Sequence, residues 1–332
     1  MTEPAPAGVS DFADLTPDRV IEAVEATLGV ACTNQCRSLS SYINRVYEVG
    51  LEAGGCVIAK FYRPRRWSRD ALQDELDFLA ELHEAEVPVV PPLPGRSGDL
   101  LHSLSTICFA VFPKKGGRPL DEPAGNEWVH LGRLLARMHA VGARHAPRDR
   151  IRLHPRHSMT AHLRYILESD TLPRQYRAAY EDAVAALAEW IAPLFDGVEA
   201  LRIHGDCHRG NILHRPGEGY HLLDFDDMAV GPAIQDLWLL LPDRLPRARA
   251  EADGLLEGYE MFLTFPRETL SLIEPLRAMR FIHYTAWCAR QKADGGFMRI
   301  DPEWGTPGFW RQELADLAAQ RKEIADAIGA EG

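Results

Sequence analysis

Apolar residues recur with two different periods along the chain, and the change between them predicts two lobes. Two short β-branched and aromatic runs, over residues 42–49 and 56–62, are separated by glycines, which is typical of a β-hairpin. A third apolar run at 107–112 is expected to form a buried strand. Helices are predicted on either side of the hairpin, over 16–29 and 68–84, where apolar side chains fall every three or four positions. This part of the chain therefore predicts a small lobe built around a sheet.

The rest of the chain carries mostly helical periodicity, interrupted once at 199–229, where short apolar runs alternate with polar loops. The Pro- and Gly-rich piece at 113–117 is the expected hinge. We predict an α+β fold in which a flexible N-terminus, 1–15, precedes a β-rich N-lobe, 16–113, and a larger, mainly helical C-lobe, 114–332. The helices predicted in the C-lobe cover 125–141, 159–169, 174–194, 233–241, 246–262, 268–292 and 307–327.

Composition narrows the classes of function. The net charge of −11 opposes a general nucleic-acid-binding surface, because such surfaces usually carry a basic excess. No run approaches the roughly 20 apolar residues of a membrane-spanning helix, and the N-terminus lacks the features of a signal peptide. We expect a cytoplasmic protein that binds neither nucleic acid nor membrane and keeps its six scattered cysteines reduced. No heptad or other repeat indicates an interface, so we expect a monomer.

The negative charge is concentrated in two segments. Residues 1–30 and 68–87 carry net charges of −5 and −6, so the remaining chain is neutral overall. Two basic clusters lie within this neutral remainder, one formed by Lys60, Arg63, Arg65 and Arg66, and one at 141–157. Each is open to two interpretations, a solvated face or a contact surface for a phosphate-rich or acidic partner. A nucleotide site is predicted where the charge locally reverses.

The polar loops within residues 199–229 contain the candidate catalytic and metal-binding side chains. Asp206 and Asn211 lie five positions apart after one apolar run, and Asp224 follows the next hairpin. This spacing matches the catalytic-loop and metal-Asp pattern of kinases, in which the first Asp orients the acceptor hydroxyl and takes its proton. Asn211 and Asp224 supply the hard oxygen ligands that Mg²⁺ prefers. Each motif alone also fits a structural interpretation, a turn around a satisfied Asp or a solvated loop.

Two flanking side chains are predicted to support this loop. His208 is open to two roles, contact with the reacting groups or bracing of the loop. Asp236 is a carboxylate on an otherwise apolar helix, and burying it without partners would be costly. We therefore expect Asp236 to accept hydrogen bonds from the catalytic loop.

A phosphate donor also needs a cation from the other lobe. Lys60 lies within an apolar strand, and Glu75 on the next helix is its natural counter-ion, as in protein kinases. The alternative is an edge-strand lysine that reaches solvent. No glycine-rich loop is present, so Ser40 and Ser41 would have to contact the phosphates, and a plain β-turn is the alternative there.

These residues resemble the aminoglycoside-phosphotransferase and choline-kinase branch of the two-lobed protein-kinase-like fold. More specific strings, among them residues 60–67, 202–208, 231–238 and 275–280, resemble the bacterial stress response kinase A family of Ser/Thr protein kinases. The similarity extends over about residues 16–320. It implies ATP and Mg²⁺, with Asp206 and Asp224 as catalytic residues, Asn211 and Asp224 as metal ligands, and Ser41, Lys60 and Glu75 at the nucleotide. Two departures from ordinary protein kinases are the sequence Asp-Phe-Asp at 224–226 and the missing activation segment.

Three functions follow as hypotheses. The first is a Ser/Thr protein kinase with protein substrates, and the second is a small-molecule kinase that phosphorylates a hydroxyl of an amino alcohol, aminoglycoside or sugar. The third is a nucleotide-binding pseudokinase scaffold, which the complete set of catalytic residue types disfavours. A small cationic substrate would call for an acidic or aromatic pocket, and the aromatics that could line one are otherwise core residues. These aromatics are Trp238, Tyr284, Trp287, Trp304 and Trp310.

Overall fold

The computed structural model describes residues 11–12, 14–41, 43–293 and 302–329 and divides into two compact units. The first unit comprises Met1–Leu120, Pro147–Asp149 and Gly210–Asp226, and the second comprises Asp121–Ala146, Arg150–Arg209 and Asp227–Gly332. Most of the predicted flexible N-terminus, residues 1–10 and 13, lies outside the described residues.

The first unit is built on a five-stranded antiparallel sheet with the strand order β1-β2-β3-β5-β4. Its strands are β1 (Cys32–Leu39), β2 (Arg45–Leu51), β3 (Cys56–Phe61), β4 (His102–Leu104) and β5 (Ile107–Pro113), and its helices are α1 (Pro17–Leu28) and α2 (Arg69–Glu84). A second sheet of three strands consists of β6 (Arg118–Pro119), β8 (Ile212–Arg215) and β9 (Gly219–Leu222). The predicted hairpin and strand at 107–112 are therefore present.

Strand β1 was not predicted, because its side chains are mostly polar and partly exposed. Strand β2 begins at Arg45 rather than at the predicted Tyr42, which lies outside the described residues. The helix α1 forms as predicted, since the Thr16 side chain accepts a hydrogen bond from the N–H of Arg19 and Gly29 follows the last turn. Local capping signals thus located this helix, whereas an exposed polar strand carries no comparable signal.

Two segments distant in sequence belong to the first unit through backbone hydrogen bonds. Asp74 on α2 accepts hydrogen bonds from the N–H groups of Arg148 and Asp149, at 2.8 and 2.9 Å. The β8–β9 hairpin joins through Leu222, whose N–H donates to the carbonyl of Pro88 at 2.9 Å. Because this division falls after Leu120 and includes the hairpin, it differs from a linear boundary after 113, and the assignment of functions to the two lobes stays a prediction.

The second unit is mainly helical. It contains one two-stranded sheet, β7 (Leu201–Ile203) with β10 (Ala229–Gly231), and the helices α3 (Glu127–Gly142), α4 (Pro155–Glu168), α5 (Arg174–Ile191), α6 (Ile234–Trp238), α7 (Arg249–Tyr259), α8 (Ile273–Ala293) and α9 (Pro307–Gly329). The predicted helices are all present. Two of them have a terminal segment in 3₁₀ geometry, at Ala192–Phe195 and Arg267–Leu272. The α+β class is confirmed.

Helices α3 and α7 cross at close range because glycines lie at their contact. A Cβ atom on Gly132 would lie 2.0 Å from the carbonyl oxygen of Leu255, and one on Gly258 would lie 1.9 Å from that of Val129. Both distances are far shorter than any real contact, so the crossing requires glycine on each helix.

Two further sequence-based expectations can be compared with the structure. All six cysteines are free thiols. Across the part of the chain that the structure describes, none of the helices combines the length and apolar character needed to cross a bilayer.

Candidate active site

Lys60 is the centre of a buried charge cluster in the first unit. It lies on β3, the middle strand of the sheet, and is only 8% exposed. Its Nζ lies 3.2 Å from Oε1 of Glu75 on α2 and 3.0 Å from Oδ1 of Asp224. The predicted pair of Lys60 and Glu75 is therefore formed, and the structure adds Asp224 as a third member.

Further groups hold this cluster in place. The hydroxyl of Tyr62 donates to the same Glu75 oxygen at 3.2 Å, and the Lys60 ammonium lies 5.0 Å from the centre of the Tyr62 ring. Asp226 Oδ1 is 3.7 Å from Lys60 Nζ, and its other oxygen pairs with Arg66. Burial alone would lower the pKa of Lys60, but Asp224, Glu75 and Asp226 together raise it well above its usual value. Lys60 is thus a permanent cation in this unit.

The β8–β9 hairpin brings Asn211 and Asp224 together. Ile212 pairs with Leu222, and the N–H of Leu223 donates to the carbonyl of Asn211 at 2.9 Å, so Asp224 follows one residue beyond that bond. Asp224 has a φ of 56°, in the left-handed region that aspartate tolerates better than most residues, and its side chain is 57% exposed. The next residue, Phe225, packs edge-on against Phe78 of α2, and this contact anchors the backbone beside Asp224.

Asn211 and Asp224 fit a hard divalent cation by their chemistry. One offers an amide oxygen and the other a half-exposed carboxylate, and Mg²⁺ typically binds one or two protein oxygens while keeping waters and substrate phosphates. Within the described ranges no group of three or more His, Cys, Asp or Glu side chains forms a candidate metal site.

Ser41 lies in the loop between β1 and β2. Val46 on β2 pairs with both Leu39 of β1 and Lys60 of β3, so this loop leaves the sheet at the level of Lys60. Asn44, at the end of the loop, accepts a hydrogen bond from the N–H of Arg63 at 3.0 Å. The loop is therefore attached to the same end of β3 that carries the lysine.

The second unit carries the predicted base, Asp206, in the loop after β7. Its Oδ1 lies 2.8 Å from Nη1 of Arg280 on α8, and its Oδ2 lies 3.4 Å from Nε2 of His208. Gly205, just before it, has a φ of +83°, and a Cβ there would lie 2.1 Å from the carbonyl oxygen of Asp227. Only glycine allows this close approach, which directs the chain into the loop that carries Asp206.

The charge of Asp206 is strongly stabilised. Burial alone would raise the pKa of its carboxyl group, but the hydrogen bond to His208 and the charge of Arg280 hold the pKa well below its usual value. Asp206 is therefore ionised throughout the physiological pH range. The backbone N–H of Asp206 donates a hydrogen bond to Nδ1 of His204, at 3.3 Å.

Asp236 braces the same loop, as predicted. Its side chain is fully buried, and its two oxygens accept hydrogen bonds from the N–H groups of His204 and Gly205, at 2.8 and 2.9 Å. His139 of α3 lies 3.0 Å from the same carboxylate. This network satisfies a buried charge and fixes the backbone that leads to Asp206.

Two cavities lie beside Asp206 and α8 in the second unit. We call the first the base cavity. It has a volume of about 80 Å³, is lined by Asp206, Arg280, His162, His283, Leu276 and Met279 among others, and adjoins Gln235. The second, the aromatic cavity, measures about 340 Å³ and is lined by Trp238, Tyr284, Phe281, Arg277, Arg280 and the acidic pair Glu313 and Asp316. Of the predicted pocket aromatics, the buried Trp238 and the exposed Tyr284 line a cavity, and Trp287 stacks on Tyr284. Trp304 and Trp310 are core residues.

The sequence alone predicts no role for Arg280 or Arg66. Arg280 falls within one of the family-like strings, but its partner Asp206 lies far upstream, so no local pattern joins them. Arg66 lies in another of these strings, residues 60–67, and in a basic cluster, but neither indicates its partner. In the structure Arg66 pairs with Asp226, and Arg63 and Arg65 both contact Asp11, so this cluster is matched by acidic side chains from elsewhere in the unit.

Comparison with known proteins identifies the family. The profile of the phosphotransferase enzyme family that includes the aminoglycoside phosphotransferases matches residues 35–275. The chain belongs to this phosphotransferase family. Within it, the chain is 35% identical to stress response kinase A from Shigella flexneri, over 95% of both chains. It is 34% identical, over 94% of both chains, to a protein named serine/threonine protein kinase RdoA from Salmonella typhimurium.

Solved structures of phosphotransferases share the fold at low sequence identity. An amicoumacin kinase, solved in complex with AMP-PNP and Ca²⁺, superposes with a TM-score of 0.72 at 20% identity and 93% coverage of both chains. A microcompartment-associated aminopropanol kinase gives a TM-score of 0.69 at 18% identity, covering 96% of this chain and 99% of its own. These likenesses confirm the kinase-like fold of this phosphotransferase.

Proposed function

We propose that this phosphotransferase moves the γ-phosphoryl group of ATP to serine or threonine hydroxyls of protein substrates, with Mg²⁺ as the metal. The observation that carries the proposal is the buried Lys60 ammonium between Glu75 and Asp224. Kinases use this arrangement to hold nucleotide phosphates beside a metal-binding aspartate. Burying a charged lysine among three carboxylates costs desolvation energy, and this cost favours a functional role for the cluster over a purely stabilising one.

Each predicted residue has a defined role in this proposal. Lys60 binds the phosphates and Glu75 orients it, while Ser41 contacts the nucleotide from the β1–β2 loop. Asn211 and Asp224 would hold Mg²⁺, which supplies neutralisation of phosphate charge when bound. Asp206 orients the acceptor hydroxyl and accepts its proton, and its low pKa keeps it ionised for that purpose.

Two observations support a protein acceptor. One curated relative carries the name serine/threonine protein kinase. The base cavity, at about 80 Å³, is much smaller than the roughly 300–1,000 Å³ of sites that enclose a whole small molecule. A cavity of this size suits a single hydroxyl-bearing side chain.

A small-molecule acceptor is the second candidate. The structural relatives include an amicoumacin kinase and an aminopropanol kinase. The aromatic cavity, at about 340 Å³, is large enough for a small ligand and offers Trp238 and Tyr284 together with two carboxylates. These features would suit an amino alcohol.

Incubation with γ-labelled ATP and Mg²⁺ separates these candidates. The protein is supplied alone, with a generic basic protein, or with a metabolite pool, and the label is followed into protein and into small molecules. We expect label on serine or threonine of protein. Transfer only to a metabolite would replace the protein-kinase proposal with the second candidate, and ATP binding without any transfer would favour a pseudokinase.

The variant Asp206→Asn tests the catalytic assignment. We expect transfer to fall by about 10²–10⁴-fold, because the hydroxyl proton loses its acceptor. Asp253→Asn, an exposed aspartate of α7, is the matched control and should keep full activity. An Asp206→Asn protein as active as the control would remove Asp206 from the mechanism.

A further inference from the structure

Arg280 and His208 approach the two carboxylate oxygens of Asp206 from different elements. Arg280 comes from α8, and its Nη1 lies 2.8 Å from Oδ1 in an ion pair that lacks hydrogen-bond geometry. His208 already lies beside Oδ2 from within the loop. The two oxygens of the base are thus held by two separate groups.

The Arg280 guanidinium is placed where it can change partners. Its side chain is 36% exposed, whereas the Oδ1 atom of Asp206 that it contacts is buried. Arg280 also lines both the base cavity and the aromatic cavity. Its planar guanidinium carries five N–H donors, more than the contact with one carboxylate oxygen uses.

The base cavity contains one strong cation. Among the described residues that line it, Arg280 is the only arginine or lysine, and Asp206 and Asp227 contribute negative charge. His162 does not supply a second cation, since burial first, and then His283 and Arg290, lower its pKa to about 3. A phosphoryl group that enters this cavity meets the carboxylate of Asp206, and Arg280 is the group that can offset their repulsion.

We propose that Arg280 is a further catalytic residue of this phosphotransferase, a cation that binds the oxygens of the transferring phosphoryl group once the acceptor hydroxyl occupies Asp206. This inference rests on the proposed function. In the step itself the acceptor oxygen forms a bond to the γ-phosphorus, the bond from that phosphorus to the bridging oxygen of ADP breaks, and the hydroxyl proton passes to Asp206. Arg280 exchanges neither proton nor electrons. It changes its ion-pair partner from the carboxylate to the phosphoryl oxygens, which its planar fork of donors can hydrogen-bond.

The test compares Arg280→Ala and Arg280→Lys with Arg290→Ala, a change of another partly buried arginine on the same helix. Transfer from γ-labelled ATP is measured at saturating ATP and Mg²⁺, on the acceptor that the wild type labels. We expect kcat of Arg280→Ala to fall by about 10²–10³-fold with an unchanged KM for ATP, as when one donor to a transition-state oxyanion is removed. Arg280→Lys should retain part of the activity, and Arg290→Ala should stay within about threefold of wild type.

Chemical rescue separates a catalytic role from a structural one. Millimolar guanidinium should restore the activity of Arg280→Ala at least about tenfold, whereas urea, a neutral molecule of the same shape, should not. Equal rescue by urea, an Arg280→Ala protein within threefold of wild type, or a loss confined to the KM of the acceptor would each overturn the proposal. A wild-type protein that transfers no phosphate at all would instead overturn the proposed function, so the two failures are distinct.

Discussion

At the scale of single residues, the buried carboxylate of Asp236 has a structural role that its sequence context indicates. A charged residue on an apolar helix costs free energy to bury, so the sequence predicts that Asp236 has hydrogen-bond partners. The structure supplies three donors, the N–H groups of His204 and Gly205 and the ring of His139. Asp236 therefore fixes the backbone of the loop that carries Asp206.

We predict that Asp236→Ala lowers the free energy of unfolding by about 2–6 kcal/mol, because the N–H groups of His204 and Gly205 lose their acceptor at about 1–3 kcal/mol each. Asp236→Asn keeps one acceptor oxygen and should lose about half as much. Urea denaturation measures both, with Asp253→Ala on the exposed face of α7 as the control. A urea midpoint for Asp236→Ala equal to that of the control would contradict the bracing role.

At the scale of elements, the α3–α7 crossing depends on the lack of two side chains. Gly132→Ala should destabilise the protein by about 3 kcal/mol or more, since the new Cβ would lie 2.0 Å from a backbone carbonyl that cannot move alone. Gly308→Ala, near the start of α9, is the control, because its Cβ would make only an ordinary 3.6 Å contact. Thermal melting of both variants tests the prediction, and equal midpoints would show that the helices can separate at little cost.

Helices α4 and α8 meet through a histidine pair that predicts a pH dependence. Nδ1 of His283 lies 3.3 Å from Nε2 of His162, and burial, His283 and Arg290 lower the pKa of His162 from 6.5 to about 3. Above pH 6.5 His162 is neutral in both the folded and the unfolded chain, so it adds no pH dependence. As the pH falls below 6.5, His162 binds a proton in the unfolded chain but stays neutral in the folded protein. The free energy of unfolding therefore decreases.

The expected loss from His162 is about 2 kcal/mol between pH 7 and pH 5. Urea denaturation at both pH values should show this loss in the wild type and a smaller one in His162→Gln, which cannot titrate. The comparison between the two proteins removes the contribution of other histidines. The same pH slope in both would mean that His162 accepts its proton without opening the α4–α8 contact.

At the scale of the whole molecule, nucleotide binding should be visible as stability. ATP with Mg²⁺ should raise the free energy of unfolding by about 2.7 kcal/mol when the free ligand is about 100 times above Kd. Lys60→Met should abolish most of this gain, and chelation of Mg²⁺ by EDTA should reduce it. Asp206→Asn serves as the control that keeps the gain, because its side chain is assigned to the acceptor and not to the nucleotide.

Thermal melting with and without ligand, each variant compared with its own ligand-free state, provides the measurement. An equal gain in Lys60→Met and wild type would remove Lys60 from the nucleotide site. This comparison does not depend on the identity of the acceptor, so it tests the nucleotide-binding assignment separately from the protein-kinase proposal.

The sequence by itself determined the helices, most of the strands and the α+β class, because periodicity and capping act over neighbouring residues. It also determined the pair of Lys60 and Glu75, whose elements follow each other directly. The kinase-like spacing of Asp206, Asn211 and Asp224 indicated a phosphotransferase, and the family match agrees with it.

Only the tertiary structure decided which distant groups meet. Arg280 reaches Asp206 from α8, Arg66 pairs with Asp226, and the polar strand β1 completes the edge of the sheet. None of these contacts follows from a local pattern, because a charged side chain at the surface of an element has many possible partners of opposite sign. The packing of elements that are far apart in sequence selects one of them, and in this chain that selection placed an arginine at the predicted base.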